Sequence, residues 1–398
     1  MATQQITDIA RGAPKAVRGV RPLTEWRDDL ITMALAIWPI TAMFFDGLGH
    51  NNRTGQESFF SLSHLFVYSG ATVTALWVTW VVVKYQLAAG VDVKRLMIDF
   101  AAIPVGYGVA IIGLVVLTIS GPADLIWHEI YGFEVGVDAI YSPPHLGLFF
   151  GVLLVTSTGI RSMWAKNDIA PDLKTFAPVI LSAALFISVS GFITMYLSAF
   201  MTNVTPTSDF WNDLANFNDV RSDQTIDVNS GLALYGDDTW PYNFYSVSHG
   251  IASMVITGLI LLGPTLLIMR RWRVPFGAFT IIYTAFGLWV NIMSEYRDIV
   301  LIVSLILAGL TADLLQQRLG MARKDGRVSL GGIRVAGTVI AAVLWLAYWA
   351  VLALDQGIGW PPTLWVGALM VAIMTGFGLA FLIAPPAYGP RLVEADEG

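Results

Sequence analysis

Apolar runs near 29–49, 62–86, 97–120, 144–164, 176–202, 247–269, 274–294, 299–317, 333–354 and 363–385 dominate this chain of 398 residues. Each is roughly 19–27 residues long, close to the ~20 residues that carry a helix across a bilayer. Only 13% of the chain is charged, against about 25% in an ordinary soluble domain. The runs predict an all-α, polytopic integral membrane bundle of about ten transmembrane helices, with the lipid bilayer as its solvent.

Basic residues give the orientation. With the N-terminus inside, 20 of the 23 Lys and Arg fall on the cytoplasmic side, and only Arg53, Arg221 and Arg297 fall outside. Such a bias predicts both termini cytoplasmic, in a plasma membrane of bacterial type. Residues 1–28 then form a cytoplasmic N-terminal segment, 29–385 the bundle and 386–398 a cytoplasmic tail. The first 28 residues are polar and basic and do not read as a cleavable signal. The longest connection, 203–245, carries seven aspartates and one arginine. It reads as a solvated acidic loop, or as a cation-attracting lid over a membrane site. No long basic run suggests a nucleic-acid partner.

Cysteine is absent, which excludes disulfides, thiolate zinc sites, iron–sulfur clusters and blue copper. The five histidines are His50, His64, His128, His145 and His249. On the topology above, all five lie at the outer ends of membrane helices. Ionisable groups at membrane depth are costly and usually functional.

Their surroundings repeat. The first helix ends on Asp46-Gly-Leu-Gly-His50 and the third on Asp124-Leu-Ile-Trp-His128, followed by Glu129. Four residues separate Asp from His in both, which sets them one turn apart on one helical face. The next helices open on Ser61-Leu-Ser63-His64, Ser142-Pro143-Pro144-His145 and, further on, Ser246-Val-Ser248-His249. Each serine suits an N-cap, and Pro143 suits the first helical position. The positive end of the helix dipole disfavours an imidazolium there, and neutral imidazole is the metal-binding form. Two units result, one of Asp46, His50 and His64 and one of Asp124, His128 and His145, within 29–164. A partial third pairs His249 with Asn291 and Glu295, which repeat the four-residue spacing. The sequence leaves open whether these units share a site. The single-unit alternative, ordinary interfacial histidines and serine caps, is structural only.

Imidazole plus carboxylate without sulfur suits copper, zinc or iron. The Asp-x3-His end followed by His about 14 residues on resembles the copper-site motif in the C subunit of the particulate methane and ammonia monooxygenases. Asp46, His50 and His64 match that spacing closely; Asp124, His128 and His145 match with three residues more. The resemblance covers these short segments. It implies copper, oxygen activation on a small hydrophobic substrate, membrane oxidoreductase activity and partner membrane subunits. Alternatives of other classes are a zinc-dependent membrane hydrolase, a metal or proton transporter, a bis-histidine haem protein and a non-catalytic assembly subunit. The near absence of charge in the middle of the runs disfavours transport, and histidines at helix tips fit haem poorly.

Overall fold

The computed structural model describes residues 21–52, 60–93, 97–132, 134, 137–166, 169–201, 204, 244–321 and 325–385. Most of the N-terminal segment, nearly all of the acidic connection and the tail lie outside these residues. Among the described residues the architecture is all-α, a polytopic helical bundle without strands. Among the described residues nine helical spans are long and apolar enough to cross a membrane, one of them, Pro143–Trp164, divided at Ser157, and a shorter apolar helix covers Ala278–Met293.

The helices are α1 Trp26–Asn52, α2 Leu62–Ala88, α3 Tyr107–Tyr131, the short α4 Val137–Tyr141, α5 Pro143–Thr156, α6 Thr158–Trp164, α7 Leu173–Ile193, α8 Phe244–Arg271, α9 Ala278–Met293, α10 Ile302–Gly320, α11 Leu330–Asp355 and α12 Pro362–Ile383. They divide into two compact units. The first comprises residues 1–196 with 285–299, the second 197–284 with 300–398.

Most expected spans agree with these helices to within a few residues, but the fifth, expected to reach 202, ends at Ile193 before a 3₁₀ turn at Met195–Leu197, and the third differs more. The expected run at 97–120 becomes a short 3₁₀ turn and then α3 from Tyr107. Pro104 biases Ile103 to extended backbone, and Ile103 sits at ψ 124°. Gly106, at φ +91°, then makes a turn that a side chain would strain. The displacement carries α3 to Tyr131 and places Asp124 and His128 inside a regular helix. The run at 144–164 divides at Ser157 into α5 and α6.

In the first unit, α1 packs on α2 and α3 on α5, while α7 backs α1 and α5. Close approach explains two glycines. A Cβ on Gly70 would lie 2.9 Å from Pro39 of α1, and one on Gly113 would lie 2.7 Å from the Gly151 carbonyl oxygen of α5. Small residues at such crossings let helix backbones gain dispersion energy where lipid offers no hydrophobic drive.

Buried carboxylates hold together the end of this unit where α1 begins. Asp29 accepts from Lys166 Nζ at 2.8 Å, Ser162 Oγ at 2.8 Å, Thr24 Oγ1 at 2.9 Å and Tyr107 Oη at 3.2 Å. Asp28 pairs with Lys84 at 3.1 Å. An ammonium and several donors surround each charge, as burial of an ion demands. Asp172 caps α7 by accepting from the Thr175 amide at 2.9 Å, which holds its carboxyl below the usual carboxylate range.

In the second unit Asp313 of α10 caps the start of α9. It accepts from the amides of Phe279 and Thr280 at 3.1 and 3.0 Å and from Thr280 Oγ1 at 2.7 Å. Phe200, Trp345, Tyr348, Trp349 and Trp360 form an aromatic core, with Tyr348 donating to the Ala199 carbonyl at 2.8 Å.

Candidate metal centre

Four helix ends converge in the first unit. Asp46 and His50 come from the last turns of α1 and His64 from the first turn of α2; Asp124 and His128 come from the end of α3 and His145 from the start of α5. The hairpin arrangement brings both units to the same end, opposite the Asp–Lys pairs. The structure joins them into one cluster. Ring centroids of His50 lie 5.9 Å from His64, 6.1 Å from His128 and 5.8 Å from His145; His128 lies 6.0 Å from His64 and 5.6 Å from His145.

Each unit also forms a three-donor set whose ligand atoms lie within 4.8 Å of one another. Asp46 Oδ2 is 3.8 Å from His50 Nε2 and 3.4 Å from His64 Nε2. Asp124 Oδ1 is 3.4 Å from His128 Nε2 and 3.1 Å from His145 Nε2. Ligands at the usual ~2.0–2.2 Å around a tetrahedral ion stand about 3.3 Å apart. The observed separations bracket that value.

Backbone carbonyls fix the imidazole orientation. His50 Nδ1 lies 3.0 Å from the Glu134 carbonyl and His128 Nδ1 3.2 Å from the Gly132 carbonyl; His145 Nδ1 meets the Ala139 carbonyl closely. A carbonyl only accepts, so each Nδ1 carries a proton and each ring turns its Nε2 inward. Each of these Nε2 atoms then faces a carboxylate oxygen at 3.1–3.8 Å, a contact that requires a proton or a metal ion between the two atoms. This is the arrangement of metal-ligating histidine, whose other nitrogen donates outward.

Further groups hold the carboxylates. Tyr68, one turn beyond His64, donates to Asp124 Oδ2 at 2.8 Å. Asp124 Oδ1 is buried and faces the Nε2 atoms of His128 and His145. Glu134 receives a close hydrogen bond from Trp127 Nε1, and its other oxygen is 3.5 Å from His128 Nδ1. Tyr68 is the residue at the cluster that the sequence reading did not single out. The i+4 position of Tyr68 after His64 was a usable signal.

Three expected ligands lie outside both donor sets. Glu129, next to His128, is turned about 100° around α3 and is exposed. α9 stops at Met293, so Glu295 does not share a helical face with Asn291; it sits at φ +54°, exposed. Asn291 instead donates to the Gly287 carbonyl at 2.9 Å. His249 belongs to the second unit, and α8 begins at Phe244, which places Ser246 inside the helix instead of at its cap. Of the expected serine caps, Ser61 accepts from the His64 amide at 3.2 Å. Ser142 occupies the cap position without a side-chain bond, where Pro143 and Pro144 offer no N–H.

An apolar cavity of about 810 Å³ opens from the cluster. Asp46, His50, His64, Asp124 and His145 line its polar end, and Leu117, Leu148, Phe149 and Val152 are among its apolar walls. No Lys or Arg is among the described residues that line it. Comparison with protein-family models, with curated proteins and with solved structures finds no match to this chain.

Proposed function

We propose that this integral membrane protein is a metalloprotein, with Asp46, His50 and His64 holding one ion and Asp124, His128 and His145 a second. One observation carries the reading: the buried Asp124 and the half-buried Asp46 each face two imidazole Nε2 atoms, with no Lys or Arg among the described residues that line the cavity. At the opposite end of the same helices, Asp28 and Asp29 are neutralised by Lys84 and Lys166. Among the described residues that line the cavity, the histidine end sets imidazoles beside its carboxylates. A divalent cation held between the imidazoles and the carboxylates would balance that charge.

Copper is the favoured ion. The donors are imidazole and carboxylate only, copper heads the affinity order for such sites, and the motif resembles the monooxygenase C subunit. Copper held there would supply one-electron exchange beside an apolar cavity, the setting of an oxidoreductase. The chain's own residues set the conditions. The carbonyls of Glu134, Gly132 and Ala139 fix three tautomers, Tyr68 orients Asp124, and the apolar walls exclude water. Three protein donors per ion also match a catalytic zinc site with one open position. That supports a hydrolase as the second reading. We further orient the histidine end outward, because Arg27, Lys84, Arg161, Lys166 and Lys174 occupy the opposite end of the first unit.

Elemental analysis of the purified protein tests this. The expected result is about two copper ions per chain, fewer in His50→Ala and His128→Ala, and unchanged metal in His249→Ala. Zinc at the same stoichiometry would transfer the reading to hydrolysis. Negligible metal in all four proteins would overturn it.

A further inference from the structure

The cavity has a shape that the metal donors do not require. From the cluster it follows α1 back to Pro39, α2 forward to Ala75 and α3 back to Leu114. At 1.5 Å per residue those walls reach about 15 Å from the Asp and His side chains toward the bilayer middle. Half of a ~30 Å hydrocarbon core is the same distance. The cavity is therefore as deep as one leaflet.

Its wall is also graded. The cluster end carries carboxylates, imidazoles, Asn51 and Ser61, whereas the deep end carries Leu114, Leu117 and Val152. Part of the lining lies on the outer surface of the bundle. Leu65 is 62% exposed, and Thr72 and Thr118 are exposed at mid-helix, where the surroundings are lipid. The cavity thus opens sideways into the hydrocarbon, and its size lies within the roughly 300–1,000 Å³ of small-ligand sites. Water has no favourable place in the deep, apolar part.

We propose that this cavity takes a single alkyl chain from the surrounding leaflet, with the chain's functionalised end at the His/Asp cluster. The substrate class is then a long-chain, membrane-dissolved amphiphile. Its role as substrate rests on the metal reading above; its presence in the cavity does not. The grading sets the direction of binding: a polar end in the apolar depth would lose its hydrogen bonds, whereas at the cluster it meets charge and donors.

Photolabelling in lipid nanodiscs tests the proposal. The probe is palmitic acid carrying a mid-chain diazirine, with adducts mapped by mass spectrometry and metal measured on the same sample. Adducts are expected on Leu117 and Val152 in excess over the outward-facing Leu76 and Ile119, which are 66% and 65% exposed. Hexadecan-1-ol should compete for the inner adducts and butan-1-ol should not. Ala71→Phe and Ala75→Phe, which fill the deep part, should each lower the inner adducts at least tenfold and leave the outer ones in place. Equal labelling inside and outside, or inner labelling indifferent to competitor and to both variants, overturns the proposal. Inner labelling on protein without metal would sustain the chain site and sink the metal reading. Bound metal without inner labelling would do the reverse.

Discussion

At the residue scale the same acid is treated in two ways. Asp29 sits beneath Lys166 with three hydroxyl donors, whereas Asp124 has Tyr68 and two imidazoles. The consequences of mutation differ accordingly. Lys166→Ala leaves Asp29 buried without its cation and should cost about 3–5 kcal/mol, read as a lower midpoint of unfolding; Asp29→Leu with Lys166→Met should recover most of it. Tyr68→Phe removes the hydrogen bond to Asp124 and should weaken metal affinity about 10–100-fold, with the fold kept, as measured by chelator competition. Asp46, His50, Asp124 and His128 were legible because four-residue spacing is a geometric statement about any helix, and His64 and His145 because each follows a serine by three residues at a helix start. Glu129 and Glu295 show the limit of that rule. An adjacent residue points elsewhere, and the spacing means nothing once the helix has ended, as it does at Met293.

At the element scale, packing sets the precision of the cluster. α3 and α5 each bring one histidine to the second donor set, so their separation at Gly113 and Gly151 controls where His128 and His145 meet. Gly113→Leu should destabilise the bundle by about 1–3 kcal/mol through overpacking. It should also reduce metal bound at the second donor set, read as substoichiometric metal in folded protein. Apolar run length located the spans, because lipid thickness dictates it. It could not place the start of α3. Met97, Ile98 and Phe100 are as apolar as a helix interior, and only Pro104 and Gly106 mark the true boundary. The 3₁₀ turn before Pro104 shows local backbone chemistry prevailing over hydropathy.

At the scale of the whole molecule, the two hairpins of the first unit repeat one design, a carboxylate and histidine at a helix end answered by a histidine at the next helix start. Sequence reading found both copies but not their meeting, because nothing in either copy encodes the packing of α1 and α2 against α3 and α5. Orientation is checked by fusions. A periplasmic-only reporter inserted after residue 134 should be active and one after residue 169 silent, if the histidine end faces outward.

The cluster's charge has a consequence for the life of the protein in a cell. A chain that depends on a supplied cation to balance buried acids gains stability by mass action, about 2.7 kcal/mol for one site at a hundredfold excess over its dissociation constant. On the proposed metal reading, metal starvation should shorten the protein's lifetime, since quality-control proteases act on transiently open chains. Pulse-chase turnover should lengthen on copper addition in the wild type and stay flat in a His50→Ala, His128→Ala double variant. The abundance of this protein would in that way follow the metal economy of the membrane that contains it.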